Sequence, residues 1–150
     1  MDKFIIALDE FMINNKICIE LNYKIQLDNL SADVISENIN RDLGNIINQY
    51  SVKEDGLVFL LDISRVNRKD LDVPKVKKII TSLCDNYPDM LHKCVVYNYS
   101  KTVKMLFNLI KNFLDKVTAD KIVIDESVST IINQVTNNPD MLDKFTTDSN

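Results

Sequence analysis

Few residues of this chain could take part in catalysis, and they are widely separated. His92 is the single histidine, and the stretch His92-Lys93-Cys94 lacks the ligand spacing of a zinc site. No nucleophile stands beside a base in the sequence, as a catalytic triad would require. The two glycines, Gly44 and Gly56, are too few to form a phosphate-binding loop. The sequence therefore predicts a protein that is not an enzyme and uses no metal or cofactor, with His92 on a surface loop.

Asp62 and the three cysteines are the remaining candidates for chemistry. Asp62 follows an apolar run, where the acids of α/β active sites often lie, but no second carboxylate or base is close to it in sequence. We expect Asp62 to cap its loop through backbone hydrogen bonds. Cys18, Cys84 and Cys94 are an odd number at wide spacing, which is typical of small buried hydrophobic residues in a reducing compartment.

Composition and charge narrow the class of protein. Hydrophobic residues make up 45% of the 150 residues and charged residues 27%, an ordinary balance for one globular domain. The net charge of −4 lacks the basic excess that nucleic-acid binders use against phosphates. The apolar run Phe4–Leu8 is too short for a signal peptide, and no stretch reaches the roughly 20 apolar residues of a membrane span. We expect one cytoplasmic domain over residues 1–150, with a frayed tail at about 145–150, that binds no nucleic acid.

The pattern of apolar residues predicts alternating helices and strands. Ile17 to Leu27 alternates apolar and polar residues, which is typical of a strand with one wet face at a sheet edge that could pair with a partner. The predicted strand from Val58 to Ile63 begins with a continuous apolar run, Val58 to Leu61, as in the middle of a parallel sheet. The order of elements predicts an α/β domain in which helices flank a mostly parallel sheet. The full set is a helix over 3–13, a strand over 17–27, a helix from Ser31 to about 50, a strand over 58–63, a helix from Asp72 to Tyr87-Pro88, a strand over 94–99, a helix over 101–116, a strand over 121–124, and a final helix with Val128, Ile131, Ile132 and Val135.

The predicted helix at 101–116 has an apolar face that covers about half its circumference, wider than the ~100° stripe that a surface helix usually buries. Its other face carries Lys101, Lys104, Lys111 and Lys116. One interpretation is a core helix with a solvated face, and we give this the greater weight. The other is a lid that contacts both an apolar cavity and an anionic membrane surface. The residues that would form the apolar lid are Leu106, Leu109, Ile110 and Phe113.

Three motifs in a fixed order give the chain a family resemblance. They are Tyr87-Pro88-Asp89, the strand that ends in Val95-Val96-Tyr97-Asn98, and Thr118-Ala119-Asp120-Lys121-Ile122. In order and spacing, the segment from about Leu57 to Ile124 resembles the CRAL-TRIO family, which includes the phosphatidylinositol transfer proteins. The resemblance implies a sheet that forms the floor of a hydrophobic cavity for one lipid, and a fold related to STAS domains.

The resemblance also implies a headgroup site. In family members that bind phosphatidylinositol, the headgroup is held by the acid of the Tyr-Pro-Glu motif and by the Thr and Lys of Thr-x-x-Lys-Ile. The matching residues are Asp89, Thr118 and Lys121. A carboxylate, a hydroxyl and an ammonium group suit inositol hydroxyls and phosphate. The sequence departs from the family pattern at Met90 and Asn112, which replace an Arg and a Pro, so we expect the resemblance to cover only the core of the lipid domain.

Two other functions stay open at this point. Shortened members of the family serve as protein-binding scaffolds for small GTPases or their regulators, so a protein partner without a lipid ligand is one alternative. A STAS-like regulatory domain is another, because Leu61-Asp62-Ile63-Ser64 and Asn98-Tyr99-Ser100 are similar to STAS motifs. The STAS switch needs a phosphorylatable serine, which the stretch Asp70–Val73 does not contain. We therefore expect a lipid ligand, which could be a phosphoinositide, and a location in the cytoplasm or at the periphery of membranes.

Overall fold

The computed structural model describes residues 3–13, 16–66 and 72–124 of the chain. Strands and helices alternate along most of this length. The elements are β1 (Ile5–Ile13), β2 (Lys16–Leu21), α1 (Ala32–Tyr50), β3 (Leu57–Asp62), a short 3-10 helix (Ile63–Arg65), α2 (Val73–Asn86), β4 (Leu91–Tyr97), α3 (Lys101–Asn112), α4 (Lys116–Asp120) and β5 (Ile122–Val123). The predicted final helix and the predicted frayed tail at 145–150 lie outside the described residues.

The strands form one five-stranded sheet in the order β1-β2-β3-β4-β5. β2, β3, β4 and β5 are parallel, and β1 is antiparallel to β2. Phe59 of β3 is level with Ile19 of β2 on one side and with Cys94 of β4 on the other. The predicted α/β fold with a mostly parallel sheet is confirmed, and the continuously apolar β3 lies in the middle of the sheet, as predicted.

Residues 3–13, which we predicted to form a helix, instead contain strand β1, so this prediction is wrong. Phe4, Leu8, Phe11 and Met12 do fall at helical spacing, but short apolar runs fit a strand equally well. Ile5 pairs with Leu21 and Leu8 with Cys18 across the antiparallel ladder. The buried carboxylate of Asp42 on α1 accepts hydrogen bonds from the backbone amides of Phe4 (2.6 Å) and Ile5 (3.3 Å), which fixes the start of the strand.

The predicted strand from Ile17 to Leu27 is shorter than expected and does not lie at an edge. It ends at Leu21, and the following residues turn back so that Ile25 and Leu27 pack against the core. β1 occupies the side of β2 that we predicted to be exposed. The edge of β2 that we expected to be open to a partner is therefore paired with β1 of the same chain.

The helices of the crossovers lie on one face of the sheet. Leu57, Phe59 and Leu61 alternate onto this face, where they pack with apolar residues of α1, α2 and α3. Val58 and Leu60 point to the opposite face and form a separate buried cluster with residues of β1, β2 and β4. Because alternate residues of a strand lie on the same face, Leu57, Phe59 and Leu61 form one apolar row along the side of β3 that faces the helices.

The predicted helix at 101–116 ends early, at Asn112, and a second short helix begins at Lys116. α3 begins at Lys101, where the Ser100 hydroxyl accepts a hydrogen bond from Val103 N, and it ends at Asn112. α4 begins at Lys116, where the Asp115 carboxylate accepts one from Thr118 N at 2.8 Å. Within the described ranges, no helix is both long and apolar enough to cross a membrane.

Candidate functional site

An apolar cavity of about 170 Å³ lies between the sheet and helices α1 and α2. Its walls are almost entirely hydrocarbon, and the sheet contributes the floor. The lining residues are Ile19, Leu21, Leu27, Ile35, Ile39, Leu43, Leu57, Phe59, Leu61, Val66, Val76, Ile79, Ile80, Leu83, Cys84, Tyr87, Met90, Leu91, Cys94, Phe107, Thr118 and Ile122. An apolar cavity of similar size in another protein stays dry and binds benzene, so this cavity suits an apolar ligand and not water.

Helix α2 covers the cavity. Val76, Ile79, Ile80 and Leu83 recur at helical spacing and line it from above. None of the residues of α2 is fully buried, whereas α1 buries seven residues. The helix is therefore a thin roof with the cavity on one side and solvent on the other.

A few polar contacts hold α2 in place. The Tyr87 hydroxyl at its C-terminal end donates a hydrogen bond to the carbonyl of Asn40 on α1, and the Asn40 amide donates to Ser82 Oγ at 3.2 Å. At the other end, Lys75 Nζ donates to the carbonyl of Leu27 at 2.7 Å. An ion pair between Lys78 and Asp33 (2.7 Å) joins α2 to the first turn of α1, but both side chains are largely exposed, so it contributes little.

The polar groups of the cavity wall cluster where the parallel strands begin. Thr118 of α4 is buried, and its hydroxyl donates a hydrogen bond to Asp115 Oδ2 at 3.0 Å. Burial raises the pKa of the Cys84 thiol, and a hydrogen bond with Thr118 opposes that rise. Burial also raises the pKa of Cys94, to about 12, so both cavity thiols are protonated at neutral pH. Cys84 and Cys94 are partly buried and line the cavity, and of the three cysteines predicted to be buried, Cys18 is fully buried.

The three residues predicted to bind a headgroup occupy different positions at this end of the sheet. Thr118 lines the cavity, and Lys121 follows it at the start of β5 and is half-buried. Asp89 is exposed in the turn before β4, at a φ of 64°, and does not line the cavity. Among the residues that the structure describes, no ion pair joins Asp89 and Lys121. The structure thus brings Thr118 and Lys121 together and leaves Asp89 apart.

Positive charge collects around the starts of the strands. The pKa of His92 is lowered, first by burial and then by the neighbouring Lys16 ammonium group, with smaller contributions of the same sign from Lys93 and Lys121. Asp55 opposes them. Lys16 Nζ also donates to the carbonyl of Asp55 at 2.8 Å. Lys16, Lys93 and Lys121 therefore lie near His92 at the amino-terminal edge of the sheet, together with the acid Asp55, a proximity that the sequence alone does not reveal.

The four residues predicted to form an apolar lid do not line the cavity. Ile110 is fully buried in the cluster beneath α3, and Leu106 packs against the same cluster. Leu109 is 46% exposed and Phe113 53% exposed. Only Phe107 of α3 reaches the cavity. The wide apolar face of this helix thus divides into one side that packs on the core and one that faces solvent.

The solvent-facing side of α3 and the start of α4 carry what we call the apolar stripe, which consists of Met105, Leu109, Phe113 and Val117. Met105 is 72% exposed and Val117 66% exposed. The first three residues are four apart, so they lie on one side of the helix. The Lys77 ammonium group of α2 lies 4.9 Å from the centre of the Phe113 ring, a cation–π contact. The exposure of Met105 and Val117 could not be predicted from the sequence, because a periodic pattern does not show which apolar residues are buried.

Asp62 has the capping role that the sequence predicted. Its carboxylate accepts hydrogen bonds from the backbone amide of Ser64 at 3.1 Å and from the Ser64 hydroxyl at 2.6 Å. The Asn98 amide donates to the same oxygen at 3.1 Å. The Tyr23 hydroxyl accepts a hydrogen bond from Asp62 N, and the Arg65 guanidinium stacks on the Tyr23 ring at 4.4 Å. This network ties together the ends of β3 and β4 and the loop after β2.

Comparisons with known proteins agree with this fold. A model of the CRAL/TRIO domain family matches residues 14–145, and the chain belongs to that family. The phosphatidylinositol transfer protein CSR1 of Eremothecium gossypii is 31% identical over 75 residues, which is 50% of this chain and 17% of that protein. The crystal structure of Sfh5 superposes with a TM-score of 0.51 at 17% identity, over 81% of this chain and 46% of the Sfh5 chain, a likeness of fold. This chain spans less than half the length of either protein.

Proposed function

We propose that this protein binds a lipid in the cavity between the sheet and α2, and that binding, not catalysis, is its activity. The observation that carries the proposal is the cavity itself, an almost purely apolar space under a thin helical roof. Membership of the CRAL/TRIO family and similarity to a phosphatidylinositol transfer protein support it. Binding would transfer the hydrocarbon part of the ligand from water to the apolar wall. This transfer stabilises the complex by roughly 25 cal/mol for each Å² of apolar surface removed from water.

In this proposal, Thr118 and Lys121 bind the headgroup. Thr118 lies in the cavity wall, and Lys121 is three residues further along the chain, with its backbone amide bonded to the Thr118 carbonyl at 3.1 Å. The Lys121 ammonium group suits a phosphate oxygen, and the Thr118 hydroxyl, which donates to Asp115, can accept a hydrogen bond from an inositol hydroxyl. Asp89 would take part through inositol hydroxyls that extend beyond the cavity toward the turn before β4.

We further propose that the apolar stripe and its lysines contact an anionic membrane from which the ligand is taken. Helices α2 and α3 together hold six lysines and one aspartate, whereas the chain as a whole has a net charge of −4. Exposed apolar residues among lysines favour a position at the membrane surface, where hydrocarbon enters the interface and the lysines meet anionic headgroups. Because this surface lies beside the roof of the cavity, a lipid would have a short path between membrane and cavity.

The experiment that tests the headgroup site compares Lys121→Ala with wild type. Native mass spectrometry would measure retention of phosphatidylinositol and phosphatidylcholine, each offered in two-chain and one-chain forms, so that the headgroup is tested separately from the number of chains. We expect Lys121→Ala to weaken the inositol lipid by about 1.5–3 kcal/mol, the scale of a hydrogen bond to a charged group. The choline lipid also carries a phosphate, but its zwitterionic headgroup has no net charge, so Lys121→Ala should weaken it clearly less than the inositol lipid.

Lys24→Ala is the matched control, because Lys24 is an exposed lysine in the loop after β2. It removes the same charge and should change neither lipid. Equal binding of both lipids by wild type and Lys121→Ala would refute the headgroup site and leave the cavity as a purely apolar one. A protein that retains no lipid in any form would refute the lipid-binding proposal.

The scaffold alternative has one observation in its favour, the small size of the cavity. Ligand sites commonly measure 300–1,000 Å³, and this cavity measures about 170 Å³. A protein that retains no lipid would have the apolar stripe available for a protein partner instead. The same mass spectrometry therefore separates the two functions.

A further inference from the structure

Three lysines in the first half of α2, residues 73–79, each contact a different neighbouring element. The contacts are Lys75 Nζ with the Leu27 carbonyl in the loop after β2 (2.7 Å), Lys77 Nζ with the Phe113 ring at the end of α3 (4.9 Å to the ring centre), and Lys78 Nζ with the Asp33 carboxylate of α1 (2.7 Å). Within the described residues, no other side-chain hydrogen bond, ion pair or cation–π contact joins this half of the helix to another element. Its polar attachment therefore depends on three ammonium groups.

The second half of α2, residues 80–86, and the residue after it are attached by neutral groups. The Asn40 amide of α1 donates to Ser82 Oγ at 3.2 Å, and the Tyr87 hydroxyl donates to the Asn40 carbonyl. An anion that displaced these contacts would form no ion pair in exchange. The two ends of the roof therefore differ in what releases them.

An anionic surface competes for all three ammonium groups. Lys75 and Lys77 contact neutral partners, and a phosphate attracts an ammonium group more strongly than a carbonyl or a ring does because it carries the opposite charge. Lys78 and its partner are 57% and 75% exposed, so their ion pair is weak and easily exchanged. Phe113 belongs to the apolar stripe, and a ring that enters the hydrocarbon of a membrane leaves Lys77. Contact with an anionic membrane therefore weakens every one of these attachments.

We propose that an anionic membrane surface opens the roof of the cavity from the amino-terminal end of α2, by binding the ammonium groups of Lys75, Lys77 and Lys78. The proposal rests on the lipid-binding and membrane-contact functions proposed above and adds how the cavity opens. The second half of α2 stays attached and acts as the hinge. Val76 and Ile79 line the cavity from the released half, so their movement uncovers its apolar wall at the membrane. In solution the same three lysines keep the roof closed.

Hydrogen exchange with and without vesicles measures this opening. The purified chain is mixed with vesicles of phosphatidylcholine, or of phosphatidylcholine with phosphatidylserine, and its attachment is checked by co-sedimentation. Overlapping peptic fragments then separate the amides of residues 76–79 from those of residues 82–86. We expect the serine-containing vesicles to accelerate exchange in the first group about threefold or more and to leave the second group unchanged. Vesicles of phosphatidylcholine alone should change neither group.

A triple variant tests the lysines without a membrane. Lys75→Gln, Lys77→Gln and Lys78→Gln together keep polar side chains and remove the three charges, and should accelerate exchange of residues 76–79 in solution by about threefold or more. The matched control replaces three exposed lysines outside α2 by glutamine, namely Lys3, Lys24 and Lys53. It changes the net charge equally and should leave the exchange of α2 unchanged.

Phe113→Leu tests the contact that links the roof to the apolar stripe. Leucine keeps an apolar side chain for the membrane but has no ring for the Lys77 ammonium group. Exchange of residues 76–79 should rise in solution, by less than in the triple variant. Met105→Leu is the control on the same stripe and should change nothing, because Met105 is 72% exposed and lies about two helical turns from Phe113.

The outcomes separate the opening from the functions beneath it. A chain that sediments with the serine-containing vesicles while residues 76–79 exchange at an unchanged rate would overturn the opening and leave membrane contact and lipid binding intact. Equal acceleration by both kinds of vesicle, or unchanged exchange in the triple variant, would overturn the role of the three lysines. A chain that attaches to neither kind of vesicle would overturn the opening and the membrane contact together, whereas lipid retained in mass spectrometry would still support binding in the cavity.

Discussion

Substitution of Gly44 by alanine tests how the roof of the cavity is attached to α1. A Cβ atom on Gly44 would lie 2.9 Å from the Tyr87 hydroxyl oxygen, closer than carbon and oxygen normally approach. That oxygen is the one that donates to the Asn40 carbonyl, so relief of the contact breaks or bends the hydrogen bond. The bond is worth about 0.5–1.5 kcal/mol, and overpacking typically adds about 1–3 kcal/mol. Against this, alanine is favoured over glycine within a helix by about 1 kcal/mol.

These terms predict that Gly44→Ala destabilises the wild-type protein by about 1 kcal/mol in urea unfolding. In a Tyr87→Phe background the hydroxyl is absent, and the same substitution should stabilise by about 1 kcal/mol through helix propensity alone. The sign should therefore reverse between the two backgrounds, with a coupling of about 2 kcal/mol between residues in contact. Equal effects of Gly44→Ala in both backgrounds would refute the contact between α1 and the end of α2.

Three further outcomes follow from single contacts. Asp42→Ala leaves the amides of Phe4 and Ile5 without an acceptor and should cost about 1–3 kcal/mol in urea unfolding, whereas exposed Asp33→Ala should stay within about 0.5 kcal/mol. The pKa of Asp115 is lowered by its hydrogen bonds with Thr118, so its stabilising effect is present above the ordinary value of 3.8 and is lost as the pH falls through the lowered pKa. The difference in unfolding temperature between wild type and Asp115→Asn should accordingly close on acidification, and a difference that persists at the lowest pH would contradict this assignment. A bound lipid should slow alkylation of Cys84 in the cavity wall but not of Cys18, whose pKa burial raises to about 12 and which lies outside the cavity; equal rates with and without lipid would argue against occupancy of the cavity.

The middle of the fold could be predicted because local pattern and tertiary environment agree there. Val58 to Leu61 is apolar without interruption, as expected for a strand covered on both faces, and Ser31 caps α1 as its sequence position predicts. The first strand could not be predicted in the same way. Phe4 and Leu8 are four residues apart, a spacing that fits both the period of a helix and the period of a strand. The interactions that favour the strand are its hydrogen bonds with β2 and the hydrogen bond from Phe4 N to the Asp42 carboxylate. Both involve residues that are distant in sequence.

The candidate site was only partly predictable. The family motif pointed to Thr118, which lines the cavity, and to Lys121, which lies three residues further along the chain and does not line it. The position of the cavity under α2 could not be predicted, because Ile79 and Leu83 have the same periodicity whether they meet a packed core or a void. The apolar face of α3 presents the same difficulty. Ile110 is buried and Phe113 half-exposed, and only the placement of neighbouring elements separates them.

The absence of any fully buried residue in α2 has a consequence for hydrogen exchange. Segments with few buried contacts open at a lower free energy than the global unfolding of the protein. The amides of α2 should therefore exchange with solvent by local opening, while those of α1, anchored by Ile35, Ile39 and Leu43, exchange near the global limit. A ligand that binds only the closed form raises the opening free energy by RT ln(1 + [L]/Kd), about 2.7 kcal/mol at a hundredfold excess over Kd. The protection of this one helix would then report occupancy of the cavity directly, even for a ligand that has no chromophore and causes no change in the rest of the fold.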